Sequence, residues 1–181
     1  MLSIDENRAE LLLLAPSVLV PRLDHNGASV WDTLAIAEYL NELYPGANML
    51  PEDPIARAHC RSISGEMHSG FTNLRAALPM NLRARHTNFK IFAGAQPDID
   101  RIQTVWSECL YLRKGPFLFR EPTIADAMYA PVCTRFVTYN VPMNDAARAY
   151  CDTIMRWPPM ITWIEAAKQE PDELEELDIE F

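Results

Sequence analysis

Asn26-Gly27 stands between two short apolar stretches, Leu19–Leu23 and Ala28–Trp31, and beyond Pro54 the apolar rhythm is helical throughout. Both central residues of a type I′ turn need positive φ, which Asn-Gly supplies, so the stretch reads as a β-hairpin. A lone hairpin is marginal in water, so these two strands need a partner. The next segment offers one. Asp32 or Thr33 caps a helix whose Leu34, Ala37, Leu40, Leu43 and Tyr44 share a face, and Pro45-Gly46 stops it. A further short helix is expected at Asp5–Leu14, ended by Ala15-Pro16-Ser17. Two strands still make a poor sheet, and the missing part belongs at the N-terminal side.

Proline-rich and polar residues then form a linker. The expected organisation is an N-terminal α/β unit over 1–46, a linker over 47–53 and an all-helical domain over 54–181. Ile55, Ile63, Met67, Phe71, Leu74 and Leu78 follow a 3.6-residue rhythm and predict one long amphipathic helix. Further helices are expected near Pro97–Leu112, Ile124–Val137, Asn144–Met155 and Pro159–Lys168. Thr123-Ile124-Ala125-Asp126 places a hydroxyl at a helix start and a carboxylate three residues later, the spacing of a capping box. Thr123 and Asp126 are therefore assigned a role in folding.

Composition excludes several function classes. The net charge is −9, but seven acidic residues and no basic one lie between Glu170 and Phe181, leaving −2 for the rest. Such a run is solvated as a rule, although Leu174, Leu177, Ile179 and Phe181 could dock it against the body. No basic patch suggests nucleic acid. Leu11–Leu14 is too short to cross a bilayer, and no signal peptide is visible, so a cytoplasmic protein without a membrane partner is expected. Cys60, Cys109, Cys133 and Cys151 form no CxxC and no zinc spacing, and the four histidines form no cluster. Buried free thiols and no metal are expected.

Several stretches together resemble the cytosolic glutathione transferases, bacterial members above all: PS-x-x-VP before the hairpin, VWDTLAIAEYL on the capped helix, EMHSGFTNLR on the long helix, and GPFLFREPTIADAMYAPV. The resemblance runs from about residue 4 to the C-terminus. It implies a thioredoxin-like N-terminal domain followed by an all-α C-terminal domain, with glutathione as cosubstrate, a small electrophilic substrate and a homodimer. Pro21 falls where the family has a cis proline, and the backbone of Val20 before it would pair with the cysteinyl part of glutathione. Asp32 and Thr33 fall where the family usually has Glu-Ser, whose hydroxyl and adjacent N–H groups hold the γ-glutamyl carboxylate. A helix N-terminus suits an anion, and the same atoms could equally serve as a plain N-cap. His68 falls where bacterial relatives have a histidine facing the cleft between domains. It could also be a half-buried residue on a helix flank. Met67 beside it is a substrate-pocket candidate that fits the core stripe equally well.

The resemblance also implies an absence. The family's thiol-activating Ser, Tyr or Cys follows its first strand, and this sequence starts at what corresponds to the end of the second. Roughly 30 residues, one βαβ arm, have no counterpart. Ser3 falls at the end of a strand, away from the catalytic position, and Val18-Leu19 stands where relatives commonly have Gly-Lys. The catalytic residue is therefore unassigned. Two functions follow as expectations: a glutathione transferase that conjugates glutathione to small electrophiles in its full-length form, or a non-catalytic module of that fold serving ligand binding or dimerisation.

Overall fold

The computed structural model describes residues 20–170, in two compact units, Met1–Ala47 and Asn48–Phe181. The expected helix at Asp5–Leu14 and the acidic tail lie outside the described residues.

In the first unit, strands β1 (Leu23–His25) and β2 (Ala28–Val30) pair antiparallel, with Leu23 opposite Val30 and His25 opposite Ala28. Asn26 and Gly27 close the ladder at φ 48° and 83°, the positive values that a type I′ turn requires. The first strand lies closer to the turn than its apolar stretch suggests. A two-residue turn pairs the residues that flank it directly, so β1 is recruited by the turn and not by the run Leu19–Leu23. Helix α1 (Thr33–Leu43) follows, with Asp32 as its N-cap. Arg22 donates to Asp24 Oδ1 at 2.7 Å, and this bond holds the exposed Asp24 carboxyl below its ordinary value. His25 Nδ1 meets Tyr39 Oη at 3.0 Å, which ties the hairpin to α1.

The second unit is helical: α2 (Pro54–Ser69), α3 (Thr72–Ala77), α4 (Gln96–Arg113), α5 (Ile124–Thr138), α6 (Asp145–Met155) and α7 (Pro158–Gln169). The single long helix expected from Ile55 to Leu78 is in fact two. Gly70 ends α2 where a Cβ would sit 2.6 Å from the Glu66 carbonyl oxygen, and Phe71 turns into the left-handed region at φ 56°. The apolar stripe survives the break, since Met67, Phe71, Leu74 and Leu78 are all buried.

Helix α5 forms the centre, packed between α2 and α6, and α4 lies along α6. Ten of its residues are buried, spread over most of the helix circumference, while Ala127 stays exposed. Its C-terminal half also fixes the connection from α3 to α4. Arg135 Nε donates to the Leu78 carbonyl at 2.9 Å, Thr138 Oγ1 to Asn81 at 2.8 Å, and Tyr139 Oη to Pro79 at 2.9 Å. Among the described residues no helix is long and apolar enough to cross a membrane.

All four cysteines are free and buried. Burial pushes the Cys109 thiol from 9.0 up to about 12 and raises Cys60 as well. A thiol held neutral in the fold contributes stability that is complete below pH ~9. That contribution is lost as pH rises towards 12, where the unfolded chain releases protons that the fold retains. The unfolding free energy from urea titration should therefore fall steadily above pH ~9, by up to roughly 1.4 kcal/mol per pH unit for each such group. Cys109→Ala should flatten the decline. A midpoint independent of pH from 8 to 10.5 would contradict the burial of these thiols.

Candidate functional site

Two constellations carry the chemistry suggested by the sequence, one in each unit.

The first surrounds the start of α1. The Val20–Pro21 peptide is cis, in line with the resemblance, and so is Trp31–Asp32, which the sequence did not suggest. Asp32 Oδ1 accepts the Leu34 N–H at 3.0 Å and the Ala35 N–H at 3.4 Å. Asp32 thus performs the plain capping role with two of the orphan donors of the first turn. Thr33 is exposed, and its hydroxyl and N–H make no hydrogen bond among the described residues. An anion arriving here would find Thr33 available, whereas Leu34 and Ala35 are engaged by the cap.

The second lies at the start of α5. Asp126 is fully buried and takes four donors. Its Oδ1 accepts the Leu118 N–H at 3.0 Å and the Tyr150 hydroxyl at 3.0 Å. Its Oδ2 accepts the Thr123 N–H at 2.8 Å and the Thr123 hydroxyl at 3.0 Å. Burial pushes the carboxyl upward, and each donor pulls it back by favouring the ionised form. Thr123 and Asp126 form the capping box, and the Ile124 N–H reaches the Met49 carbonyl at 2.9 Å. Leu118 and Tyr150 carry no local signature, because eight and twenty-four positions separate them from Asp126. This cluster holds the loop before α5, α5 itself and α6 together, and its four donors all come from within the helical unit. Its chemistry is structural.

His68 and Met67 sit on α2. Met67 is buried at 6% exposure in the same stripe as Cys60 and Ile63, and His68 is half-buried near the C-terminal end of the helix. Glu66, one position earlier, is clamped by Arg101 of α4 through two bonds of 2.7 and 2.9 Å. Among the described residues no group of His, Cys, Asp and Glu is arranged to hold a metal.

Comparison with known proteins identifies the helical domain. The model of the glutathione S-transferase C-terminal domain matches residues 92–166, within the helical unit. The probable maleylacetoacetate isomerase of Caenorhabditis elegans is 40% identical over 70 residues, which are 39% of this chain and 33% of the relative. Glutathione S-transferase L3 of Arabidopsis thaliana is 26% identical over 153 residues, 83% of this chain and 57% of the relative. Residues 92–166 thus carry a glutathione S-transferase C-terminal domain, and the chain as a whole is similar to glutathione S-transferases.

Solved transferases share the fold. A maleyl pyruvate isomerase, described as a bacterial glutathione S-transferase of the zeta class, superposes with a TM-score of 0.69 at 23% identity, covering 94% of this chain and 84% of that one. A glutathione transferase homolog from Burkholderia, with bound glutathione, gives 0.68 at 21% identity, covering 92% and 80%. In fold, the hairpin and α1 thus correspond to part of a thioredoxin-like domain, and α2 to α7 correspond to the transferase helical domain. The chain spans a third to just over half of the length of the curated relatives just named.

Proposed function

We propose that this chain holds glutathione at the start of α1 and serves a transferase or isomerase reaction in which the glutathione thiolate adds to an electron-poor carbon of a small substrate. The observation that carries the reading is the exposed Thr33, at the first position of a capped helix, in a chain similar to glutathione S-transferases. A helix N-terminus favours an anion through its unpaired donors and its dipole. The peptide carboxylate of the γ-glutamyl residue is such an anion. The backbone of Val20, preceding Pro21, would pair with the cysteinyl part of the ligand, and Asp32 would fix the helix start. The homodimer implied by the resemblance belongs to the same proposal.

Relatives named maleylacetoacetate isomerase favour isomerisation alongside conjugation. The two share their first step, addition of a thiolate to an activated carbon. They diverge afterwards: in isomerisation the adduct rotates and expels the thiolate, and in conjugation it keeps the new C–S bond and either takes up a proton or expels a leaving group. The activating residue is unassigned in either case. His68 and Met67 are carried as pocket candidates for the electrophile.

Thr33→Ala should weaken glutathione binding with little loss of fold. A hydrogen bond to a charged group contributes about 1.5–3 kcal/mol, a rise in Kd of roughly 10- to 100-fold. Titration calorimetry reads this directly, and an unchanged Kd in the variant rejects the role of Thr33. Thr33→Ser should keep most of the affinity, since it keeps the hydroxyl. Absence of glutathione binding by the unmodified chain would instead favour the non-catalytic, dimerising module.

A further inference from the structure

From Thr72 to Pro97 the chain carries Arg75, Arg83, Arg85 and Lys90 and no acidic residue at all. All four cations are exposed. Arg75 lies close enough to Arg135 for the two like charges to act on each other. Beside these residues runs a groove of about 750 Å³, lined mainly by Ala76 and Ala77 of α3 and by Phe89, Ile91, Phe92 and Ala93. Phe92 is 65% exposed, an unusual state for so large an apolar ring. The segment that carries the groove is not loose. It is pinned to α5 by the bonds to Leu78, Pro79 and Asn81 and by the His86 N–H, which reaches the Thr138 carbonyl at 2.7 Å. The Phe89 ring also stands edge-on to Tyr139 at 4.7 Å.

The same chain holds a segment of complementary chemistry. Pro171–Phe181 contains six carboxylates, no Lys or Arg, and the four large apolar residues Leu174, Leu177, Ile179 and Phe181. The segment begins next to the basic stretch, because the Glu170 carbonyl accepts Arg83 Nη1 at 3.4 Å. Eleven residues reach at most roughly 36–40 Å, ample to cross the face of one domain. Tethering raises the local concentration of such a segment to the millimolar range, so a weak site is enough to hold it.

We propose that the acidic segment Pro171–Phe181 docks on its own chain, its apolar side chains in the groove of Phe89–Ala93 and its carboxylates against Arg75, Arg83, Arg85 and Lys90. The site is independent of the glutathione reading, since both its halves lie in the helical unit.

Lys90 makes the proposal testable, because the chain has two other lysines, Lys114 and Lys168, as internal references. Lys168 borders the tail and reports that its carboxylates are activated; Lys114, at the end of α4, reports non-specific coupling. Treating the full chain with a zero-length carbodiimide at low salt should join Lys90 to the tail carboxylates. The yield should exceed that at Lys114 about tenfold, because both lysines are tethered to the tail but docking holds its carboxylates beside Lys90 alone. It should collapse near 1 M salt, where charges are screened within about 3 Å. Arg83→Glu with Arg85→Glu should cut the Lys90 product several-fold while circular dichroism shows the helices intact. Equal yields at Lys90 and Lys114 overturn the proposal, as does a Lys90 yield unaffected by the two substitutions. Lys90–tail links found solely in products of twice the chain mass also overturn it, since the tail would then serve a second copy.

Discussion

Replacing Asp126 by alanine should lower the stability of the helical domain by about 3–5 kcal/mol, the largest effect expected of any single polar substitution here. Each carboxylate oxygen takes two donors: Leu118 N–H and the Tyr150 hydroxyl on one, Thr123 N–H and the Thr123 hydroxyl on the other. Alanine leaves the two backbone donors buried without an acceptor, at about 1–3 kcal/mol each, one of them the Thr123 N–H that closes the capping box. Asn should also destabilise, though less. An amide offers a single oxygen, so its NH2 group would face donors on the other side. Tyr150→Phe removes a donor to the carboxylate but orphans no backbone group, and should cost about 1.5–3 kcal/mol. Urea unfolding followed by circular dichroism ranks the three. An Asp126→Ala variant within 1 kcal/mol of the parent would show that the cluster does not hold α5 and α6 in place.

That cluster also shows which parts of the molecule the sequence discloses. Thr123 and Asp126 lie within one helical turn, so their pairing follows from spacing alone. Leu118 and Tyr150 reach the same carboxylate only after the loop and α6 have packed, and no local pattern announces them. Likewise the helices after Pro54 follow from apolar spacing, but the break at Gly70 does not. The stripe Met67, Phe71, Leu74, Leu78 stays buried across the interruption, so periodicity reads through it. The close approach of Gly70 to the Glu66 carbonyl and the left-handed Phe71 mark the end of α2. At the candidate ligand site, Asp32 was readable as a cap or as a ligand-holding residue. The structure has it capping, through bonds to Leu34 and Ala35, and leaves Thr33 as the residue on which the ligand reading stands.

Trp106→Ala should cost about 3–5 kcal/mol, the usual range for removing a fully buried large aromatic side chain. Trp106 has no exposed surface, and its ring lies 5.8 Å from that of Tyr129, 5.3 Å from Phe136 and 4.9 Å from Tyr150. These partners come from α5 and α6, so the indole is the filler where α4 meets both helices. Its Nε1 is buried and has no hydrogen-bond partner among the described residues. The indole therefore acts by volume and ring contact, and Trp106→Phe should cost about 1–2 kcal/mol, far less than alanine. Equal losses for Phe and Ala would refute this and assign the N–H an essential bond. The two clusters meet at Tyr150, which gives its hydroxyl to Asp126 and its ring to Trp106. Combining Trp106→Ala with Tyr150→Phe should thus depart from additivity by about 0.5 kcal/mol or more. A tyrosine whose ring has lost its support no longer holds its hydroxyl on the carboxylate, so part of what the second substitution removes is already gone.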